Sequence, residues 1–155
     1  LILGTGFEAS HPIPPGLILG RNHTDLAEAW SAGPEAYKGL SVHGFPNMFL
    51  MLGPNTALGH NSVLLMIEGQ INYVVDAINT LKKNAWQSVE VRSDSQASWN
   101  NQLEKTLKGS VWNAGGCQSW YLHPTSGRNT TLWPHTTIRY KHLTKRFDAS
   151  DYSCK

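Results

Sequence analysis

GFPNMFLMLGPNTALGHNSVLLMIEGQ, residues 44–70, joins a turn, an apolar run, a polar loop and a helix start without interruption. Met48 to Leu52 is wholly apolar and lies between Pro46 and Gly53, the pattern of a short strand covered on both faces in a parallel sheet. The following loop, Gly53 to His60, contains Pro54, Asn55, Thr56 and two glycines, residues that turn the chain sharply and leave backbone amides facing outward. Asn61 or Ser62 is placed to cap the next helix. A capped start concentrates N–H groups and about half a positive charge, which favours an anionic ligand group. Spacing alone reads equally well as a plain strand-to-helix connection.

Downstream of this stretch, Ile67, Ile71, Val74, Val75, Ile78 and Leu81 recur at helical spacing. They predict one long helix over 62–83 with a buried stripe, closed by Lys82 and Lys83 where cations suit a C-terminus. Ser88 to Val91 reads as a short strand, and a polar helix follows from Asp94 to Leu107 with Trp99, Leu103 and Leu107 on its apolar face. Residues 115–134, rich in glycine and threonine, read as loops with short strands. Upstream, Leu1 to Leu3 suggests a strand, HPIPPG (11–16) a link, and Gly16 to Gly20 an extended piece. A helix starts at Thr24 or Asp25 and runs through Trp30, with Glu28 in its first turn, and 31–39 is a turn region.

The chain has 155 residues, 40% of them hydrophobic and 15% charged, values of one globular unit with a surface low in charge. A net charge of +2 is too small to indicate nucleic acid. The basic residues near the end, Arg139, Lys141, Lys145 and Arg146, read first as a solvated helix face and second as a means of steering a phosphate-bearing cofactor. No apolar run reaches the roughly 18 residues of a membrane span. Cys117 and Cys154 make no disulfide framework. The seven histidines show no metal-ligand spacing, so no metal is expected. Two Asn-x-Thr triplets, at Asn22 and Asn129, are discounted as glycosylation sites. Trp30, Trp86 and Trp99 read as packing residues.

Four segments, LILGTGFE (1–8), GFPNMFLMLGPNTALGHNS (44–62), GGCQSWYL (115–122) and GRNTTLWP (127–134), stand in the order they have in one enzyme group. In them the chain resembles the C-terminal part of flavin-dependent monooxygenases of the Baeyer–Villiger type, within the wider flavin-containing monooxygenase superfamily. Gly4 stands where alanine is common. No GxGxxG opens a helix, and the family's FxGxxxHxxxW fingerprint is absent, so the resemblance implies a fragment of an enzyme about three times longer.

The resemblance implies an incomplete α/β fold: a C-terminal portion of an FAD-binding domain, with one long helix, smaller helices and short strands. Within it, 1–43 would return the chain into the FAD domain, 44–109 would form the strand, loop and long helix, and 110–155 a C-terminal loop and helix region. The implied parent uses FAD and NADP(H) to insert an oxygen atom from O2 into ketones or aldehydes. By resemblance Gly4, Thr5 and Gly6 pass close to the FAD, Thr56, Ala57 and Leu58 line the substrate pocket, and Trp120 holds the nicotinamide cofactor. Asn61 and Ser62, with His60 before them, would face the flavin. No catalytic residue is assigned in the fragment, which alone is expected to be inactive and to bind neither cofactor tightly. Its partners would be the N-terminal FAD and NADP domains of the same polypeptide and a small carbonyl substrate, with a cytoplasmic location and self-association of the isolated chain. An N- or S-oxygenating flavin monooxygenase and a non-catalytic binding or self-associating domain are the alternatives.

Overall fold

The computed structural model describes residues 1–3, 12–114, 119 and 121–155, with the side chain of Ala114 left aside. In chain order the elements are α1 (Leu26–Ala29), α2 (Leu64–Asn84), β1 (Val89–Val91), α3 (Ser93–Lys108), α4 (Val111–Ala114), α5 (Thr137–Leu143) and β2 (Tyr152–Cys154), with short 3-10 turns at Arg21–His23 and Ala149–Asp151. No helix among the described residues is long and apolar enough to cross a membrane.

Asp25 caps α1, its carboxylate accepting from the Ala27 N–H at 2.9 Å. Helix α2 ends at Ala85, which adopts the left-handed conformation (φ 55°), while the N–H groups of Ala85 and Trp86 close back on Leu81 and Lys82. β1 pairs antiparallel with β2, matching Val89 with Cys154, Glu90 with Ser153 and Val91 with Tyr152.

The central core gathers Tyr37, Leu40, Tyr73, Ala77, Val89, Val91, Phe147 and Tyr152. Inside it the Tyr73 hydroxyl donates to Tyr152 Oη at 3.1 Å, and Ser41 Oγ lies 3.0 Å from the same oxygen. Burial holds the Tyr152 phenol up at about 12, so these hydroxyls stay protonated and pair with one another. Leu26, Trp30, Ala36, Val42 and Phe45 form a second cluster, and Met66, Leu103, Trp133 and Tyr140 a third.

Three sequence expectations are corrected. Met48 to Leu52 is in no sheet; its recorded ladder contact is the Leu50 N–H donating to the Leu40 carbonyl at 2.8 Å, and the described residues contain only the antiparallel pair. Leu1 to Leu3 is likewise no strand and lies fully open to solvent. On α2 the predicted stripe is buried only in part: Val74 and Leu81 pack against the central core and Ile67 is half-buried. Met66, Gln70, Tyr73 and Ala77 face the core, while Ile71, Val75 and Ile78 are 49%, 50% and 44% exposed. The helix carries two apolar faces, and this chain covers one of them.

Candidate functional site

The loop after Leu50 is built from strained and close-packed backbone. Leu52 and Asn55 both take left-handed conformations (φ 53° and 57°), which costs a non-glycine residue about 1 kcal/mol or more. Gly53 between them is required by contact, because a Cβ there would run into the Gly39 carbonyl oxygen. The compensation is hydrogen bonding from two directions. From α2, the fully buried Gln70 accepts the Leu52 N–H at 3.0 Å and donates to Tyr140 Oη at 3.0 Å. Tyr140 donates in turn to the Lys38 carbonyl at 2.7 Å.

From the other side, the segment 129–133 clips the loop. The Asn55 N–H donates to Thr130 O at 2.9 Å, the Ala57 N–H to Thr131 O at 3.0 Å, and the Trp133 N–H to Ala57 O at 2.9 Å, so that Ala57 and Leu132 form a parallel bridge. The buried Asn55 carboxamide donates to Asn129 O (2.8 Å) and Leu132 O (3.2 Å), and Asn129 Oδ1 accepts the Thr131 and Leu132 N–H groups. Asn129, buried in this clip, is no accessible glycosylation acceptor. Two of the four segments that carried the family resemblance, 44–62 and 127–134, are thereby one structural unit.

Beside this unit opens a cleft of about 300 Å³, lined by Pro12, Ile13, Trp30, Pro34, Leu50 to Pro54, Thr56, Ala57, Val63, Thr130 and Thr131. Its walls are mostly apolar, and Met51 and Leu52 project into it with nearly half their surface exposed. Of the pocket residues expected from the sequence, Thr56 and Ala57 line the cleft. Leu58 packs on the opposite side of the loop, against the cluster of Met66, Leu103, Trp133 and Tyr140.

His60, Asn61 and Ser62 are all exposed at the start of α2. The Asn61 carboxamide is engaged: Oδ1 accepts the Ser62 N–H at 2.8 Å and Nδ2 donates to Thr137 Oγ1 at 3.3 Å, tying α2 to the start of α5. Ser62 Oγ accepts the Leu64 N–H at 3.3 Å, although the cap position of α2 falls one residue later than the sequence indicated, at Val63, which has no side-chain cap bond. The positive end of a 21-residue helix therefore opens beside a mostly apolar cleft. Such a place suits a largely apolar ligand that carries an electron-rich group. Gly4, Thr5, Gly6 and Trp120 lie outside the described residues. Among the described residues no three His, Cys, Asp or Glu side chains converge on a metal position.

Sequence reasoning missed Gln70, Tyr140 and Asn129. A signal existed for Gln70: it shares a helical face with Met66, Tyr73 and Ala77, where a lone carboxamide needs buried partners. Tyr140 and Asn129 act through tertiary contacts that no local pattern marks.

No protein-family model matches the chain. A Baeyer–Villiger monooxygenase of Pseudomonas aeruginosa is 55% identical over 152 residues, 98% of this chain and 29% of that protein. One of Streptomyces coelicolor is 40% identical over 153 residues, with the same shares. The FAD-binding monooxygenase ktnD of Aspergillus niger is 34% identical over 159 residues, all of this chain and 26% of its own. Among solved structures, an oxidized steroid monooxygenase bound to NADP superposes with a TM-score of 0.75 at 27% identity, covering 88% of this chain and 26% of that one. OTEMO in complex with FAD and NADP gives 0.74 at 21% identity, covering 89% and 27%, a likeness of fold. The chain spans about 29% of the length of the first two relatives. With 55% identity held across 98% of its residues, it is the homologue of one segment of the Baeyer–Villiger monooxygenases, the flavin-dependent family that its four motifs resemble.

Proposed function

We propose that this chain is part of an FAD- and NADPH-dependent enzyme that inserts an oxygen atom from O2 next to the carbonyl of a ketone or aldehyde. Within it, the chain completes an α/β FAD domain and supplies one wall of the active site. The observation that carries this reading is the pinned loop: Thr56 and Ala57 are held at an apolar cleft that adjoins the exposed start of α2. When bound, the flavin supplies the electron transfer and oxygen activation. The residues of this chain exclude water from the cleft, orient the carbonyl substrate against Thr56 and Ala57, and present the positive end of α2 to the flavin edge where negative charge grows on reduction. Asn61 and Ser62 hold that helix end in place, with His60 beside them. Gly4, Thr5 and Gly6 would pass close to the FAD and Trp120 would meet the nicotinamide cofactor; these assignments rest on the resemblance.

The FAD and NADP domains of the same polypeptide are the natural cover for the second apolar face of α2, where Ile71, Val75 and Ile78 are open. The remainder of the relatives' length is available for that role.

The test compares this chain with the longer polypeptide that carries it. The longer protein is expected to bind FAD and oxidise NADPH in step with conversion of a ketone to an ester or lactone, and the 155-residue chain to do neither. Oxygenation of amines or sulfides without attack on ketones would replace this reading with the N- or S-oxygenating one. In the longer protein Ala57→Leu narrows the cleft and should raise KM for a bulky ketone about tenfold or more, leaving flavin content unchanged.

A further inference from the structure

Two backbone stretches meet behind the cleft wall, and each is built so that the other can come close. The turn 37–41 closes on itself through the Tyr37 N–H to Ser41 O (2.8 Å) and the Ser41 N–H to Tyr37 O (3.2 Å), with Lys38 and Gly39 both left-handed at φ 53° and 67°. A Cβ on Gly39 would collide with Thr56 Cγ2 and come within 2.8 Å of the Pro54 carbonyl oxygen. A Cβ on Gly53 would in turn strike the Gly39 carbonyl oxygen. Gly39 is absent from the cleft lining and sits behind Thr56, which belongs to it. The Thr56 hydroxyl donates to the Gly53 carbonyl at 2.6 Å, so the loop holds its own side chain against this seat.

One pair of buried side chains ties the two stretches together. Gln70 takes the Leu52 N–H on one side, Tyr140 donates to the Lys38 carbonyl on the other, and the Gln70 amide joins them through Tyr140 Oη. Burial raises the Tyr140 phenol above its ordinary range, with the bond from Gln70 opposing, so the hydroxyl remains a donor. Packing alone would be served by an apolar side chain at position 70, because a buried carboxamide costs free energy unless both its ends are paired. Here both ends are paired, and the bonds they complete run from turn 38–39 to the cleft wall at Leu52.

We propose that Gly39, Gln70 and Tyr140 are positioning residues that set how far the wall formed by Leu52 and Thr56 stands into the cleft, and so which ketones are narrow enough to enter. The substrate class rests on the monooxygenase reading. None of the three lines the cleft; they act through Leu52 and Thr56, which do. The missing Cβ of Gly39 gives Thr56 room to lie back against the turn. The Gln70–Tyr140 pair then holds the loop on that seat, so the width of the cleft is fixed before a substrate arrives.

The experiment takes the longer polypeptide and compares a bulky ketone, adamantanone, with a slim one, butanone. Gly39→Ala pushes Thr56 forward and should raise KM for adamantanone about tenfold, moving that for butanone far less. Tyr140→Phe keeps the ring but unties the turn from Gln70, and should lower the adamantanone-to-butanone KM ratio several-fold. Loss of folded protein would lower kcat for both ketones alike and move neither KM, so the ratio separates positioning from a merely structural role. Hydrogen exchange, read by mass spectrometry on the loop peptide, needs no turnover: Tyr140→Phe should speed exchange at Leu52 several-fold. A ratio unchanged in either folded variant overturns the proposal, as does a ratio that rises in Tyr140→Phe or a Leu52 exchange rate that Tyr140→Phe leaves alone. If circular dichroism shows Gly39→Ala unfolded, Tyr140→Phe decides alone. If the longer polypeptide oxygenates no ketone, the reading of the reaction falls and Leu52 exchange decides the positioning role on its own, so the two failures are separable.

Discussion

Lys38 is 8% exposed, and its ammonium lies over the rings of Tyr37 and Tyr73 at 4.9 and 5.0 Å. Burial lowers its pKa below the usual 10.5, with Asp151 and Asp148 opposing the shift. Because the folded-state value lies below the unfolded one, the unfolded chain binds more protons between the two, and stability rises with pH across that window. Lys38→Met should therefore raise the melting temperature at pH 7, by an increment that shrinks as pH approaches 10.5; thermal melts of both proteins across that range check it. Ala85 is a second site of residue-level cost, since a left-handed alanine closes α2 where glycine is unstrained. Ala85→Gly should stabilise by about 1 kcal/mol in denaturant titration. Gln70→Leu should do the opposite, by about 1–3 kcal/mol, since it strands the Leu52 N–H and removes the donor to Tyr140 Oη, which keeps its own bond to the Lys38 carbonyl.

At the scale of elements, helices α1, α2 and α3 and strand β1 were legible in the sequence because each combines a local start signal with an apolar rhythm. The buried face of α2 was read only in part, Val74 and Leu81 packing on the core as expected, and the rest was missed for a physical reason. The more aliphatic stripe, Ile71, Val75 and Ile78, is the one left open, while the covered one mixes Met66, Gln70, Tyr73 and Ala77. Strand β2 was missed: three residues, one of them a serine, give no periodicity, and what places them is the ladder to β1 together with the Tyr152 hydroxyl network. Of the site, Thr56, Ala57 and the start of α2 were legible in loop composition and resemblance. The clip from 129–133 was not, because its bonds to the loop, three of them backbone to backbone and two from the Asn55 carboxamide, all span more than 70 residues of chain. The exposed stripe predicts a behaviour: Ile71→Lys with Val75→Glu should abolish concentration-dependent association of this chain in light scattering. Association that persists would place the contact elsewhere.

For the whole molecule, the three clusters draw on residues from Leu26 to Tyr152, so the described chain coheres as a unit even though one side of α2 waits for cover. The pairing of β1 with β2 also sets the order in which that unit can be made. β1 leaves the ribosome roughly sixty residues before its partner, a wait of about 3–12 s at ordinary elongation rates. Until then Val89 and Val91 have no ladder, Tyr73 lacks the hydroxyl it donates to, and the Gln87 and Ser88 N–H groups lack the Lys155 carbonyl that receives them. Throughout that interval the central core stays ajar, and it is the arrival of Tyr152 to Cys154, not of any helix, that shuts it.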